Sequence, residues 1–502
     1  MSSCARRQFF QADARPDAAP PLPAAADSAS GLTAGRQYAR HGRLYEKLIG
    51  RHHRPTWAAP ITALVLHLAT AQPGGLRPGK LGGGFNSISL SLSAPDGRLF
   101  VLRTLDKDPV RVIPRWLRST FLTNALRDNI SATNPYAALT VPPLAAALGV
   151  PCTRPRVVYV RPDDPIFAPD SLRRFRGQLG LLEEKLSGRS TEVPGLGRVS
   201  VVGSAEAFQQ VFTSPAYRFD QPALLRARLL DAWLGDWDRH AGQWNWTARP
   251  APGAGFAAYQ PLPKDRDMVF YRLDDGAVGW LFSHVIKRPW NTFALRFTNV
   301  RGLLHNGHYL DVRGLNALSR PQFRAAALAM QRQLPDTLLI RALRRLPPAV
   351  QALESARTLA ALRARRATLP AFADDFYREL ARQPMVGGTT QADRFEVLRY
   401  ADSTVVTVKA LAPDGVAPGP VSILFRRTFF PAETKLIQLE ALGGNDIFSI
   451  NNAPGASTSR PRLRLYGGPG DDQLQGDAKR RGVRLKPGSA PAKSAFDQIS
   501  KD

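Results

Sequence analysis

Near Gly387 the hydrophobic period of the chain changes. From Ser319 to about residue 383 apolar residues recur at helical spacing, in Ala/Leu/Arg-rich segments that open on a Ser319, Pro321, Gln322 capping pattern and are punctuated by Pro347 and Pro348. Beyond Gly387 the runs RFEVLRY, STVVTVKA, VSILFRRTFF, TKLIQLEAL and RLRLYGG are short and strand-like, separated by Pro-Asp-Gly, Gly-Pro and Gly-Gly turns. A helical pattern buries a stripe and an alternating one buries a sheet face, so the two stretches must build different cores. With 502 residues, 44% of them hydrophobic, the chain is also longer than one ordinary core needs.

The remaining boundaries follow from composition and pattern. Residues 1–35 are low-complexity and are expected to lack fixed structure. Residues 36–185 read as an α+β region: KLGGGFNSISLSLSAPDGRLFVLRTLDKD gives strand, glycine turn, strand, a Pro-Asp-Gly turn at 95–97 and another strand, with helix near 116–130 and 143–150 and strands at 156–160 and 177–186. Residues 186–385 read as mainly helical, 386–478 as an all-β domain, and 479–502 as a basic tail without structure.

The 68 Lys and Arg against 41 Asp and Glu give a net charge of +27, a field that attracts nucleotides, phosphorylated substrates, anionic lipid or nucleic acid. Its arginines are spread along the chain without interleaved aromatics, and no nucleic-acid-binding motif is visible, so nucleic acid is not expected as a partner. Two cysteines, Cys4 and Cys152, exclude a disulfide framework and a cysteine-rich metal site. The longest apolar run, AAPITALVLHLATA at 58–71, is too short to span a bilayer. MSSC followed by an Ala/Pro/Ser/Asp-rich stretch looks like the end of a lipoprotein signal, which implies membrane attachment only if Cys4 is lipidated. The expected location is then the cell envelope, periplasmic or outer-membrane, with the cytoplasm as the alternative.

Leu225, Leu229, Trp233 and Leu234 fall near helical spacing, and Gly235 ends that helix. GDWDRHAGQW at 235–244 therefore begins on a loop after a buried helix, and PLPKDRDMVF at 261–270 follows. Phosphoryl transfer asks a protein to hold a triphosphate, neutralise its charge with metal and align an acceptor hydroxyl with a base. Gly82, Gly83 and Gly84 lie between strands, where backbone N–H groups can approach phosphates. Arg103 or Lys107 would supply the cation. Asp238 is the candidate catalytic carboxylate, with Arg239 and His240 either locking its loop or pairing with phosphate. Gln243 offers an amide oxygen, and Asp265 and Asp267 are the metal candidates, since Mg²⁺ or Mn²⁺ prefers carboxylate oxygen.

These segments resemble the active-site loops of the atypical kinase superfamily that includes HipA-type toxin kinases and Golgi casein kinases. From about Tyr38 to Phe448 the chain is also similar to a family of uncharacterised bacterial envelope proteins, chiefly from Bacteroidetes. The resemblance rests on GGGFNS (82–87), LRTLDKDP (102–109), DNISATNPY (128–136), LLEE (181–184), GDWDRHAGQW and PLPKDRDMVF. It implies an α+β fold with a two-lobed protein-kinase-like catalytic unit, followed by the small all-β domain. It further implies Asp238 as catalytic aspartate, Gln243 where HipA-type kinases have a metal-binding asparagine, and Asp265 as metal aspartate with Asp267 as rival. Asp128 would pair with Arg103 or Lys107, and Glu183 of LLEE would lie at a hinge that meets adenine. The expected activity is an ATP- and metal-dependent phosphotransferase acting on a protein, glycan or small-molecule acceptor. Arg103 stands where a kinase lysine is usual and Gln243 replaces asparagine, so a catalytically inactive kinase fold acting as a binding or scaffold module is the alternative.

LGGNDIF (442–448) and GGPGDDQLQG (467–476) resemble the Gly/Asp repeats that bind Ca²⁺ in β-rolls; two copies fit β-turns as well as a calcium site. His52 and His53 have no partner at metal spacing and read as surface or packing residues. Trp233, Trp237, Trp244 and Trp246 read as core around the loop.

Overall fold

The computed structural model describes residues 9–83, 88–286, 290–411, 423–456, 461–477 and 483–486. Among the described residues, helices and four sheets make up the fold. Strands Arg77–Gly82, Ser89–Ser93 and Leu99–Thr104 form an antiparallel meander. Its second turn is the expected one: Gly97 takes φ +85°, and the Ala94 N–H donates to Arg98 O across the turn at 2.9 Å. The sheet continues through Leu179–Glu184, Arg156–Tyr159, Ile61–Val65 and Ser28–Leu32, giving seven strands. Strand alternation sets its two faces. Leu90, Leu92, Phe100, Leu102 and Leu182 are buried together on one face, whereas Ser89, Ser91, Val101, Arg103 and Glu183 face a cleft on the other.

The first strand of that sheet corrects the expectation of an unstructured N-terminal segment. Ser28–Leu32 pairs antiparallel with Ile61–Val65, and the Ala14 N–H donates to Gly177 O at 2.6 Å with Ala14 fully buried. A low-complexity composition did not preclude order here because the unpaired edge of Ile61–Val65 offers a row of backbone groups to bond. Residues 1–8, with Cys4, lie outside the described residues. No helix among the described residues is long and apolar enough to cross a membrane.

The second sheet holds Gly188–Val193, Gly197–Gly203, Trp244–Pro250, Ala257–Pro263 and Tyr217–Phe219. The principal helices are Gln221–Leu234, Arg320–Gln333, Asp336–Leu343, Pro348–Ala367 and Leu369–Ala381, which contribute to one large apolar core. Ser319 and Gln322 form the capping box that their spacing predicts.

From Met385 the strands build two further sheets around a core of their own, with Phe395 stacked on Phe448 at 4.8 Å. Met385–Gly387, Leu436–Glu440, Arg462–Tyr466 and Val483–Lys486 run parallel. The other sheet joins an antiparallel meander, Asp393–Arg399, Thr404–Ala410 and Ile423–Phe429, to parallel strands Ile447–Asn452 and Gln473–Gly476. Val483–Lys486 lies inside the segment expected to be an unstructured tail; it is ordered by the ladder that Arg462–Tyr466 presents. In the Gly/Asp turns the carboxylates accept backbone N–H groups: Asp393 N–H donates to Asp446 Oδ1 (2.8 Å) and Asp446 N–H to Asp472 Oδ1 (3.2 Å).

Candidate active site

Helix Gln221–Leu234 begins where Asp220 Oδ1 accepts the Ala223 N–H at 3.0 Å and ends where Gly235 turns left-handed at φ +74°. The chain then crosses the mouth of a hairpin. Trp244–Pro250 runs out, Ala257–Pro263 runs back, and Trp244 pairs with Pro263. This out-and-back path explains the spacing of the two acidic motifs. Residues 238–243 enter the hairpin and residues 264–267 leave it, so segments about twenty-five apart in sequence meet, with the Lys264 N–H donating to Gln243 O at 3.1 Å.

Within each segment the side chains divide between two sides. Arg239 is fully buried and spans both loops: Nη1 donates to Lys264 O (2.8 Å) and Asp265 O (3.1 Å), Nη2 to Gln243 O (3.0 Å) and Nε to Asp231 Oδ2 (3.2 Å). Its guanidinium also lies over the Trp244 ring, at 4.6 Å. Arg266 donates to Asp231 and, at 3.2 Å, to Asp236. Arg228 reaches Asp231 at 3.4 Å and holds Asp311 through two bonds of 2.7 and 2.8 Å. Burial works to raise the Asp231 carboxyl, yet Arg266, Arg239 and Arg228 outweigh it and hold that group below its usual range. At Asp236 burial prevails over Arg239 and Arg266 and pushes the carboxyl up to about 7. Arg239, expected among the catalytic residues, is therefore a positioning residue: its guanidinium is saturated by main-chain carbonyls and Asp231 and does not line the cleft.

The other residues of the two segments open onto a cleft of about 620 Å³ beneath the polar face of the seven-stranded sheet. Asp238 lines it, its Oδ1 accepting from Asn306 Nδ2 at 2.7 Å. His240 lines it too, with Nδ1 accepting the Gly242 N–H at 3.1 Å. Asp265 sits at φ +57°, a left-handed conformation that Asp tolerates better than most residues and that concentrates at functional sites. Its Oδ2 accepts weakly from Gln243 Nε2 at 3.4 Å. Asp267 pairs with Lys107. Burial, followed by repulsion from Asp265, raises the Asp267 carboxyl against the pull of Lys107. Asp265 itself lies below its usual range, because Arg103 and Lys107 outweigh its burial.

From the sheet come Arg103, ion-paired with Glu183, and Gly82 and Gly83, the latter at φ +121°. Gly84 lies outside the described residues. Glu183 lines the cleft with both oxygens engaged, by Arg103 and by Thr153 Oγ1 at 2.9 Å. Asp128 does not reach Arg103 or Lys107, contrary to expectation. It is buried against Arg54, whose Nη1 and Nη2 donate at 2.7 and 2.6 Å, with His41 and Tyr45 each at 2.9 Å. The bidentate arginine holds it because the helix Phe121–Asp128 ends beside Arg54 and away from the cleft.

Lys264, which lines the cleft, and Asn306, which bonds Asp238 there, are residues that the sequence reading passed over. Lys264 stands inside the second motif beside Asp265, and donates to Asn245 Oδ1 at 3.2 Å. Asn306 carries no motif signal, since it follows the short helix Val300–Leu304 sixty-eight residues from its partner. His52 and His53 are buried, and His53 bridges Glu354 and Phe270 O at 2.8 Å each.

Among the described residues no three His, Cys, Asp or Glu side chains converge as a metal-ligand set. Asp265, Asp267 and the Gln243 amide nevertheless fit a hard divalent ion: Mg²⁺ ordinarily takes one or two carboxylates and completes its shell with water and phosphate oxygens.

No protein-family profile matches the chain, and no curated protein matches it. Among solved structures it is similar to the Helicobacter pylori proinflammatory kinase CtkA, at 9% identity over 58% of this chain and 95% of that one, with a TM-score of 0.28. At that score the likeness carries no weight for the site.

Proposed function

We propose that this protein is an atypical kinase-like phosphotransferase that uses ATP and a divalent metal. The observation that carries the reading is one cleft lined by Asp238, Gln243, Asp265, Asp267, Arg103, Lys107 and the glycine turn, brought from the sheet and from both ends of a hairpin. On this reading the seven-stranded sheet acts as a small lobe over the helices, and the strands beyond Met385 form an accessory β domain. Bound there, ATP supplies the activated phosphoryl group, and the metal neutralises charge on its oxygens.

The residues of the chain do the rest. Gly82 and Gly83 let backbone approach the phosphates without side-chain obstruction. Asp265 and Asp267, with Gln243, hold the metal, while Lys107 offsets their mutual repulsion. Asp238 accepts the proton of an acceptor hydroxyl, and Asn306 fixes the orientation of its carboxylate. Arg239 keeps the two loops at one spacing through their carbonyls.

ATP hydrolysis to ADP and phosphate tests the reading without knowledge of the acceptor, because water takes the phosphoryl group in its place. Asp238→Asn is expected to abolish it while nucleotide binding persists; a variant with full turnover would remove Asp238 from the mechanism. The presence of Arg103 where a kinase lysine is usual, closed by Glu183, favours a second reading as a degenerate kinase fold that binds a partner. That reading predicts no metal-dependent nucleotide binding.

A further inference from the structure

A second cavity, of about 560 Å³, opens between the helix Pro348–Ala367 and the segment Phe293–Thr298, within the roughly 300–1,000 Å³ that ligand pockets span. Its deep wall is apolar: Phe270 and Phe293 pack with ring centroids 4.8 Å apart, and Ala361 is buried beside them. Its rim is cationic. Arg296 and Arg357 are exposed there and make no ion pair among the described residues, and no Asp or Glu lines the pocket. Arg272 adds a third guanidinium, with Nη1 donating to His52 O (2.8 Å) and Nη2 to Glu354 Oε2 (3.2 Å). Beneath the floor, Arg365 is buried with only carbonyl partners, among them Ala294 O and Arg296 O, and stacks over Phe297 at 4.0 Å. Glu354, which Arg272 reaches, is shared with His53 and Thr56.

An apolar interior under an unbalanced guanidinium rim recognises one kind of molecule. We propose that this pocket binds an anionic amphiphile, an apolar chain whose carboxylate or phosphate is held by Arg296 and Arg357 while the chain lies against Phe270, Phe293 and Ala361. A neutral chain would gain the apolar contact alone, and a cationic one would meet repulsion at the rim. The site shares no lining residue with the cleft that carries Asp238, and it stands independently of the phosphotransferase reading.

The test is direct binding to the full chain, by calorimetry below micelle-forming concentrations, of dodecyl phosphate, laurate, dodecanol and dodecyltrimethylammonium. One saturable site is expected for the two anions, with dodecanol weaker by roughly tenfold or more and the cation silent. Preference between dodecyl phosphate and laurate distinguishes a phosphate-bearing from a carboxylate-bearing ligand. Arg296→Ala with Arg357→Ala should weaken the anions about tenfold and leave dodecanol unchanged. Ala360→Trp, at the exposed mouth of the pocket, should block all three binders without lowering the melting temperature. Equal affinity for dodecanol and dodecyl phosphate, or binding undiminished in Ala360→Trp, would overturn the proposal.

Discussion

The two acidic loops carry the same residue types on both of their sides, yet the sides behave differently. Asp236, Arg239 and Arg266 face inward and join Asp231, Arg228 and Asp311 in a buried network in which each guanidinium bonds a carboxylate or a carbonyl. Asp238, His240, Asp265 and Asp267 face the cleft, where the carboxylates keep oxygen capacity in reserve and Asp265 holds a left-handed backbone. Inward charges fix geometry; outward charges are free to meet a ligand. The alternation along Asp236, Asp238, Arg239 and His240, and again along Asp265, Arg266 and Asp267, lets one short stretch of chain do both.

Substitutions on the two sides should therefore separate stability from activity. The largest effect is expected from Arg239→Ala or Asp231→Asn, which strand buried partner charges and should destabilise the fold by about 3–5 kcal/mol, read by chemical denaturation. Asp128→Asn belongs with them despite its motif, because it leaves Arg54 buried without its carboxylate. In the fraction still folded, nucleotide affinity should be unchanged in Asp128→Asn, which lies away from the cleft, and should fall in Arg239→Ala, which releases the Lys264, Asp265 and Gln243 carbonyls. On the outward side Asp238→Asn should lower turnover by about 10²–10⁴-fold and alter stability by no more than about 0.5 kcal/mol. A variant that loses several kcal/mol there would erase the distinction between the two sides. Asn306→Ala, which frees the Asp238 carboxylate to rotate, should reduce turnover by roughly tenfold or less with the fold intact.

The inward side also carries a pH signature. Burial raises the folded-state Asp236 carboxyl to about 7, above its ordinary value near 4. Between those values the folded state binds the extra proton, so this group's contribution to stability is fully present in acid and declines as pH rises toward about 7. Asp236→Asn should flatten that part of the stability curve in denaturation series from pH 4 to 8. An unchanged slope would show that Asp236 is ionised throughout.

Much of this arrangement is legible in the sequence. The Pro-Asp-Gly turn, the helix stopped by Gly235, the Ser319 capping box and the strand runs beyond Gly387 are local signals, and each forms locally. The meeting of residues 238–243 with 264–267 was available from their spacing, because a hairpin returns the chain to its start. What a motif leaves open is the direction of a side chain. Arg239 sits in the same triplet as Asp238 but points to Asp231 and the loop carbonyls, a choice made by the buried helix behind it. Asp128 has an acid's identity and a helix's position, yet its partner is Arg54, seventy-four residues earlier in a segment without a motif. Asn306 and the N-terminal strand Ser28–Leu32 are likewise selected by tertiary neighbours, one by a carboxylate and the other by an open sheet edge.

The central claim is that the outward-facing carboxylates form a metal-dependent nucleotide site. Calorimetric titration of the full chain with ATP, with and without Mg²⁺ and repeated on Asp265→Ala, tests it most directly. Saturable binding that requires Mg²⁺ is expected in the native chain and is lost in Asp265→Ala, which stays folded with only the small fall in melting temperature that Ala at φ +57° brings. ATP binding indifferent to both the metal and Asp265, or none at all by well-folded protein, would contradict it.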